Sequence, residues 1–137
     1  MSIPTGRYLL TNVEFATVAT LKEATPGQAL VSKDSQNPGQ DENNLWNVVI
    51  LTNGNATIQN YHQTSYATTA SSNPVVGDHV EGRPNQQQWD IIPVQGSSDT
   101  YTIATTFGGS PLVWGLLSAA AGSPVIPSLG SPTVHRN

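Results

Sequence analysis

The stretch DENNLWNVVI, residues 41–50, places a tryptophan between a run of polar residues and a run of strand-forming residues. RPNQQQWDII, residues 83–92, repeats this arrangement around Trp89. Two copies of one arrangement indicate an internal repeat. A repeat of a few tens of residues is typical of folds that are built from several copies of one structural unit. The same unit should therefore recur elsewhere in the chain.

Three further landmarks each occur three times. The opening strands alternate apolar and polar residues, as half-buried strands do: GRYLLTNV (6–13), GNATIQNY (54–61) and DTYTIATT (99–106). Each is followed by a second short strand: TVATL (17–21), SYATT (65–69) and LVWGL (112–116). A glycine turn then precedes an aliphatic residue by three positions, at Gly27 and Leu30, Gly77 and Val80, and Gly122 and Val125. Glycine there predicts a turn with positive φ. The sequence thus predicts four strands in each of three units, at about 6–53, 54–98 and 99–137.

Twelve short strands in three similar units are typical of an all-β barrel with a hairpin cap, because closure hides the sheet edges. Trp46 and Trp89 are expected to be core anchors, each able to bury roughly 150–250 Å². Trp114 shares its strand parity with Leu112 and Leu116, which favours a core position over a binding role.

Composition narrows the class of protein. The chain has 137 residues, which fits one domain over 1–137, and it has no cysteine. Only 10% of its residues are charged and its net charge is −4, which argues against nucleic acid as a partner. No apolar run approaches the ~18 residues of a membrane span, and the start lacks an apolar signal region, so a cytoplasmic location is expected. The three histidines lie in no catalytic or metal-binding motif, so we expect no enzyme activity, metal or cofactor.

Three units that open G-x-Y-like and end Q-x-W-like resemble the ricin-B-type β-trefoil over the whole chain. Gln87-Gln88-Trp89 fits the closing motif, and Asn44-Leu45-Trp46 is a near fit. The cysteine-free sequence with the start SIPTGRY is similar to small cytosolic trefoil proteins of mushroom-forming fungi. That group contains lectins and protease inhibitors, so the resemblance implies a β-trefoil that binds either a glycan or a protease.

Sugars are held by an aromatic face together with amides and carboxylates that bond to hydroxyl groups. In sugar-binding units the resemblance implies an aspartate at the end of the second strand, where this chain has Thr20, Thr68 and Gly115. The second unit offers the fullest alternative set, namely Tyr66, Asp78, His79, Asn85 and Gln87. Asp78 is expected to supply the missing carboxylate. The sequence therefore predicts a lectin with an altered site, while a packing or turn role stays open for each residue.

Protease inhibition is the alternative function. A rigid scaffold would present a loop in extended form to a protease, with a basic side chain at its tip. Lys22 lies in such a loop, which Pro26 would stiffen. Arg83 is followed by Pro84, which restrains the residue before it.

The third unit is short of its closing tryptophan. Counting from Tyr101 places that tryptophan near 134–139, but the chain has Val134 there and stops at Asn137. Two outcomes are open. Either a minimal strand completes the unit, or an open edge is covered by a second copy in a homodimer.

Overall fold

The structure is a computed structural model of the chain. It describes residues 3–12, 16–34, 37–69, 79–96, 100–106, 112–115, 126–128 and 134–135. Unit one contains β1 (Gly6–Leu9), β2 (Val18–Thr20), β3 (Gln28–Ala29), β4 (Val31–Lys33) and β5 (Leu45–Ile50). Unit two contains β6 (Ala56–Asn60), β7 (Tyr66–Thr69), β8 (Val80–Arg83) and β9 (Trp89–Pro93). Unit three contains β10 (Thr100–Thr105), β11 (Val113–Gly115), β12 (Ile126–Ser128) and β13 (Val134–His135).

Six strands form the wall of the barrel. They pair antiparallel in the order β1, β5, β6, β9, β10, β13, so each unit contributes its first and last strand. Alternate residues of these strands point inward, as the two-residue period of a strand requires. Val48 and Ile58 face each other in this way and are fully buried. The core therefore lies inside the wall and is shared by all three units.

The three hairpins of the cap have one common register. Thr20 pairs with Val31 in β2–β4, and Thr68 pairs with Glu81 in β7–β8. Gly115 pairs with Ile126 in β11–β12. The pairing shows which residues occupy equivalent places in the three units, and it agrees with the threefold repeat that the sequence predicted.

The two closing tryptophans occupy equivalent surroundings. Trp46 and Trp89 are both fully buried. The indole Nε1 of Trp46 donates to the carbonyl of Ala19 at 3.0 Å, and that of Trp89 donates to the carbonyl of Ala67 at 2.9 Å. Each indole thus ties the last strand of a unit to its second strand, which confirms the expected role as core anchors.

Unit three places its tryptophan differently. Val134 pairs with Tyr101 where Trp46 pairs with Tyr8 in unit one. By the common register of the hairpins, Trp114 stands where the other units have alanine. Trp114 is buried, as expected from its parity, and packs edge to face on Trp89 with 5.5 Å between ring centroids. Unit three thus has its tryptophan on its second strand, β11, and a valine on its closing strand, β13.

The segment after Gly27 differs from the turn and single strand that the sequence predicts there. It is divided at Leu30 into β3, which pairs with β8 of unit two, and β4, which pairs with β2 of its own unit. Leu30 is fully buried, and its N–H donates to the carbonyl of Val80 at 2.9 Å. Unit one therefore reaches across and adds a third strand to the hairpin of unit two.

Candidate functional site

The β7–β8 hairpin has one face toward the core and one face outward. Ala67 and Val80 are fully buried on the inner face. On the other face, Tyr66 pairs with Arg83 and Thr68 pairs with Glu81. Residues directly opposite each other in an antiparallel pair have Cβ atoms about 4.5–5.5 Å apart. The half-buried Tyr66 therefore lies directly across the hairpin from a charged residue.

Glu81 is the centre of a charged cluster on this face. Its carboxylate contacts His79 Nε2 through Oε1 at 2.9 Å and Arg83 Nε through Oε2. The Glu81 side chain is only 4% exposed, whereas His79 is 41% exposed and Arg83 is 46% exposed. A buried carboxylate thus holds two side chains that both reach the surface.

The hydrogen bonds determine which atoms of this cluster face outward as donors and acceptors. An ionised carboxylate can only accept, so His79 Nε2 must donate to Glu81. In a neutral imidazole the other nitrogen, Nδ1, then carries a lone pair and accepts hydrogen bonds. Arg83 uses Nε on Glu81, which leaves its terminal N–H groups as donors. The cluster therefore presents an acceptor and a set of donors side by side.

A turn of unit one borders the same cluster. Gln28 N donates to the carbonyl of Thr25 at 3.0 Å, and Gly27 adopts a φ of 90°, which favours glycine. A Cβ added at Gly27 would lie 3.5 Å from Arg83 Nη2 and 3.8 Å from Glu81 Oε2. The site is consequently built from two units, although its charged residues all belong to unit two.

The structure brings some of the predicted sugar-site residues together and separates others. Tyr66 and His79 lie on one face of the hairpin, beside the Glu81 cluster. Asn85 is exposed on the turn that follows β8. Gln87 is turned toward the hairpin, where its Oε1 accepts from Thr69 N at 2.9 Å and from Thr69 Oγ1 at 3.0 Å. Asp78 lies outside the described residues.

Glu81 was not among the sequence candidates, although the sequence contains a signal for it. The aliphatic landmarks Leu30, Val80 and Val125 align the units, and the next residues are Val31, Glu81 and Ile126. A charged residue in only one of three equivalent places marks that unit as different. Glu81 also lies directly across the hairpin from Thr68, one of the places where the resemblance implied an aspartate.

The corresponding hairpin of unit one has a different charge arrangement. Lys33 stands in the place of Arg83, but its Nζ contacts Asp41 Oδ2 at 2.5 Å, outside the hairpin. The hydrogen bond from Lys33 lowers the pKa of Asp41 below its usual range, and a hydrogen bond from the Asn43 N–H adds to this. Val18 and Val31 replace the tyrosine and the glutamate. The hairpin of unit one thus has a lysine with a partner elsewhere, but at these equivalent places it has neither an aromatic ring nor an acid.

The loop that contains Lys22 is exposed from residue 22 to residue 26. Both ends are held by hydrogen bonds: Gln63 Nε2 donates to the carbonyl of Lys22 at 3.1 Å, and Gly27 N donates to the carbonyl of Gly82 at 2.9 Å. Arg83, the other basic residue considered for inhibition, is instead paired with Glu81 within a strand.

Two kinds of feature are absent from the part of the chain that the structure describes. These residues contain no group of three or more histidine, cysteine, aspartate or glutamate side chains that could hold a metal ion. They also contain no helix long and apolar enough to cross a membrane.

Comparison with known proteins identifies the fold. No protein-family sequence profile matches the chain, and no curated protein sequence matches it. Among solved structures, the agglutinin of Rhizoctonia solani matches with a TM-score of 0.84 and 24% identity, covering 100% of this chain and 99% of that one. The ricin B-like lectin of Macrolepiota procera, solved in complex with lactose, matches with 0.80 and 17% identity over 100% and 99%. The designed threefold-symmetric protein ThreeFoil matches with 0.82 and 15% identity over 96% and 98%.

The class of protein defined by these likenesses and by the strand order is the β-trefoil. The predicted all-β fold of three units is confirmed. So is the resemblance to ricin-B-type trefoils, at the level of the fold.

Proposed function

We propose that this chain is a carbohydrate-binding protein of ricin-B type, which binds glycans without catalysing a reaction and does so chiefly through unit two. The observation that carries the proposal is the outward face of the β7–β8 hairpin. There a partly exposed Tyr66 ring lies directly opposite Arg83 and shares its face with His79. An aromatic face beside oriented hydrogen-bonding groups is the combination that a sugar ring requires.

The roles of the predicted residues follow from their surroundings. Tyr66 would stack on the apolar face of a sugar, and His79 would bond to a hydroxyl group. Asn85, exposed after β8, stays a predicted contact. So does Asp78, which lies outside the described residues. Gln87 would support the site rather than contact the ligand, because its amide oxygen is used by Thr69.

The fold neighbours support a glycan as the class of ligand. The Macrolepiota procera neighbour is a lectin that was solved with lactose, and the Rhizoctonia solani neighbour is an agglutinin. Because this chain has threonine or glycine where such units are expected to carry aspartate, we expect a site that differs from theirs. We also expect weak binding by a single site. A second copy of the chain would raise the avidity, and the homodimer stays a prediction that sedimentation at high concentration would test.

A glycan array followed by calorimetric titration of lactose-containing glycans tests the proposal. The wild-type chain should retain a set of glycans, and Tyr66→Ala should weaken their binding at least about tenfold, because a tenfold change corresponds to about 1.4 kcal/mol, the size of one lost ring contact. Tyr61→Ala is the matched control, since the Tyr61 ring packs under Arg7 at 4.2 Å instead of in the hairpin face. A wild-type chain that retains no glycan, or a Tyr66→Ala variant that binds as wild type, would contradict the proposal.

Protease inhibition is the second candidate function, and one observation favours it. Lys22 lies in an exposed loop whose two ends are held by hydrogen bonds, which is the preorganised arrangement that an inhibitor requires. Arg83 suits this role less well, because its guanidinium would have to leave a buried carboxylate. Trypsin inhibition by the wild-type chain, lost in Lys22→Ala, would move the function to this loop. Full trypsin activity in the presence of excess protein would remove this candidate.

A further inference from the structure

Glu81 breaks the threefold pattern of the molecule. Its register equivalents are Val31 in unit one and Ile126 in unit three, so the same place in the fold accepts an apolar residue in both other units. The two side chains that Glu81 contacts are 41% and 46% exposed, so water can solvate both of them when an apolar residue takes the place of the carboxylate. The fold therefore does not require a carboxylate at residue 81, and the reason for its presence lies elsewhere.

The carboxylate acts on two exposed side chains. Because Glu81 accepts from His79 Nε2 at 2.9 Å and also from Arg83 Nε, it fixes the orientation of both groups. It also fixes the tautomer of a neutral His79, with Nδ1 as an acceptor that none of the described residues occupies. Without it, two flexible side chains at the surface would have to be ordered by the ligand, which weakens binding.

The charge of the cluster indicates the class of ligand. One carboxylate and one guanidinium cancel, so a cluster with a neutral His79 has no net charge with which to select an acidic sugar. What it offers is one acceptor, His79 Nδ1, next to the donors of Arg83. Adjacent hydroxyl groups match this pair, because each hydroxyl can donate one hydrogen bond and accept others.

We infer that Glu81 is the positioning residue of the glycan site in unit two, and that His79 and Arg83, held by it, bond to adjacent hydroxyls of a neutral sugar. This rests on the proposed function. It adds Glu81 and Arg83 to the site and gives the recognised group as a neutral pair of hydroxyls beside the ring that stacks on Tyr66.

The decisive variant is Glu81→Val, which copies the residue of unit one. We expect its thermal unfolding temperature to equal or exceed that of the wild-type chain, while its affinity for lactose-containing glycans falls at least tenfold. Glu81→Gln serves as a second variant that keeps the side-chain volume, and it should also be folded and weaker in binding. Asp41→Asn is the control, because it breaks the ion pair of unit one and should leave glycan binding unchanged.

A cycle of variants separates positioning from a purely structural effect. If Glu81 acts through His79 and Arg83, then adding Glu81→Val to the double variant His79→Ala/Arg83→Ala should cause no further loss of binding. Monodeoxy derivatives of lactose should bind the wild-type chain more weakly at the hydroxyls that the pair contacts. The Glu81→Val variant, in contrast, should bind the monodeoxy derivatives and lactose itself with equal, weak affinity.

The outcomes distinguish this inference from the proposed function. If the wild-type chain binds glycans and Tyr66→Ala abolishes binding while both Glu81 variants bind as wild type, then the inference is wrong and the lectin proposal stands. Preferential retention of sialylated or sulfated glycans would also overturn the inference, because it requires a net positive site. Absence of any glycan binding by the wild-type chain removes both.

Discussion

The hairpins of units one and two have the same backbone pairing and different chemistry. In β2–β4, Val18 pairs with Lys33 and Thr20 pairs with Val31. The equivalent pairs in β7–β8 are Tyr66 with Arg83 and Thr68 with Glu81. Lys33 finds its partner in a loop, whereas Arg83 finds its partner in its own strand. Identical registers show that the backbone does not dictate these differences.

Each unit therefore has two kinds of position in its hairpin, inner positions that face the core and outer positions that face away from it. The inner positions, such as Ala19 and Ala67, keep one residue type in units one and two because the tryptophan that packs there needs a small neighbour and a carbonyl. The outer positions of the hairpin are free to change. A binding function is therefore expected in the unit whose outward-facing hairpin residues differ most in type from those of the other units. That unit is unit two.

The largest expected effect concerns the inner positions. Trp46→Ala and Trp89→Ala should each lower the free energy of unfolding by about 3–5 kcal/mol, because each removes a fully buried indole. Trp89→Ala should cost about 0.5–1.5 kcal/mol more, since it also removes the edge-to-face contact with Trp114. Denaturant unfolding of the two variants measures the difference. Equal losses would show that the ring contact adds nothing.

The next effect concerns the two ion pairs. Arg83→Met should cost about 1–3 kcal/mol, because it leaves a buried carboxylate with only His79 as a partner. Lys33→Met should cost less than about 1 kcal/mol, because Lys33 and Asp41 are both substantially exposed. The same substitution at equivalent places makes the pair of variants well matched in unfolding experiments. A larger cost for Lys33→Met would mean that the burial of Glu81 is not what makes unit two different.

A smaller effect on stability is expected at the Gly27 turn of unit one, which borders Arg83 and Glu81. Gly27→Ala and Gly54→Ala should each cost about 1–2 kcal/mol, because both glycines have a φ near 90°. A Cβ at Gly54 would meet nothing within 4 Å, whereas one at Gly27 would contact Arg83 at an ordinary distance. Equal changes in unfolding temperature are therefore expected. A clearly greater loss in Gly27→Ala would show that the turn presses on the guanidinium more tightly.

The smallest effect is a dependence on pH in unit one. The pKa of Asp41 is lowered in the folded chain, chiefly by the hydrogen bond from Lys33, so ionised Asp41 stabilises the fold. This stabilisation is present above the pKa of an unfolded aspartate, about 3.9, and is lost as the pH falls through the lowered value. The difference in unfolding temperature between wild type and Asp41→Asn should therefore shrink from about pH 7 to about pH 2. A difference that grows on acidification would contradict this sign.

The fold could be predicted from the sequence because its determinants are local and repeated. Trp46 and Trp89 mark the closing strands, and Gly27 marks a turn with positive φ, whereas the turns predicted at Gly77 and Gly122 lie outside the described residues. The separate strand β3 could not be predicted, since two residues pair there only because β8 of another unit lies beside them. Leu30 fits the apolar pattern in either arrangement.

The candidate site was predicted less completely than the fold. Tyr66 and His79 were predicted from their residue types and stay a prediction, although the structure places Tyr66 opposite Arg83 and His79 against Glu81 on one face. Glu81 was missed because an acid between Val80 and Gly82 resembles a solvated residue in the sequence, and only the structure shows that it is buried. Arg83 was assigned to a loop, because its place at the end of β8 depends on a register that short strands do not specify.

Unit three has Trp114 on its second strand instead of a tryptophan on its closing strand, and this limits how freely one unit can replace another. Replacing unit three by a copy of unit two would introduce a third closing indole and, at the place of Trp114, an alanine. The ring that now lies against Trp89 would then approach from another strand, and neighbouring side chains would have to repack. A gene built from three identical copies of one unit would thus conserve the number of large rings but not their arrangement, so symmetry here could be restored only by redesigning the interior as a whole.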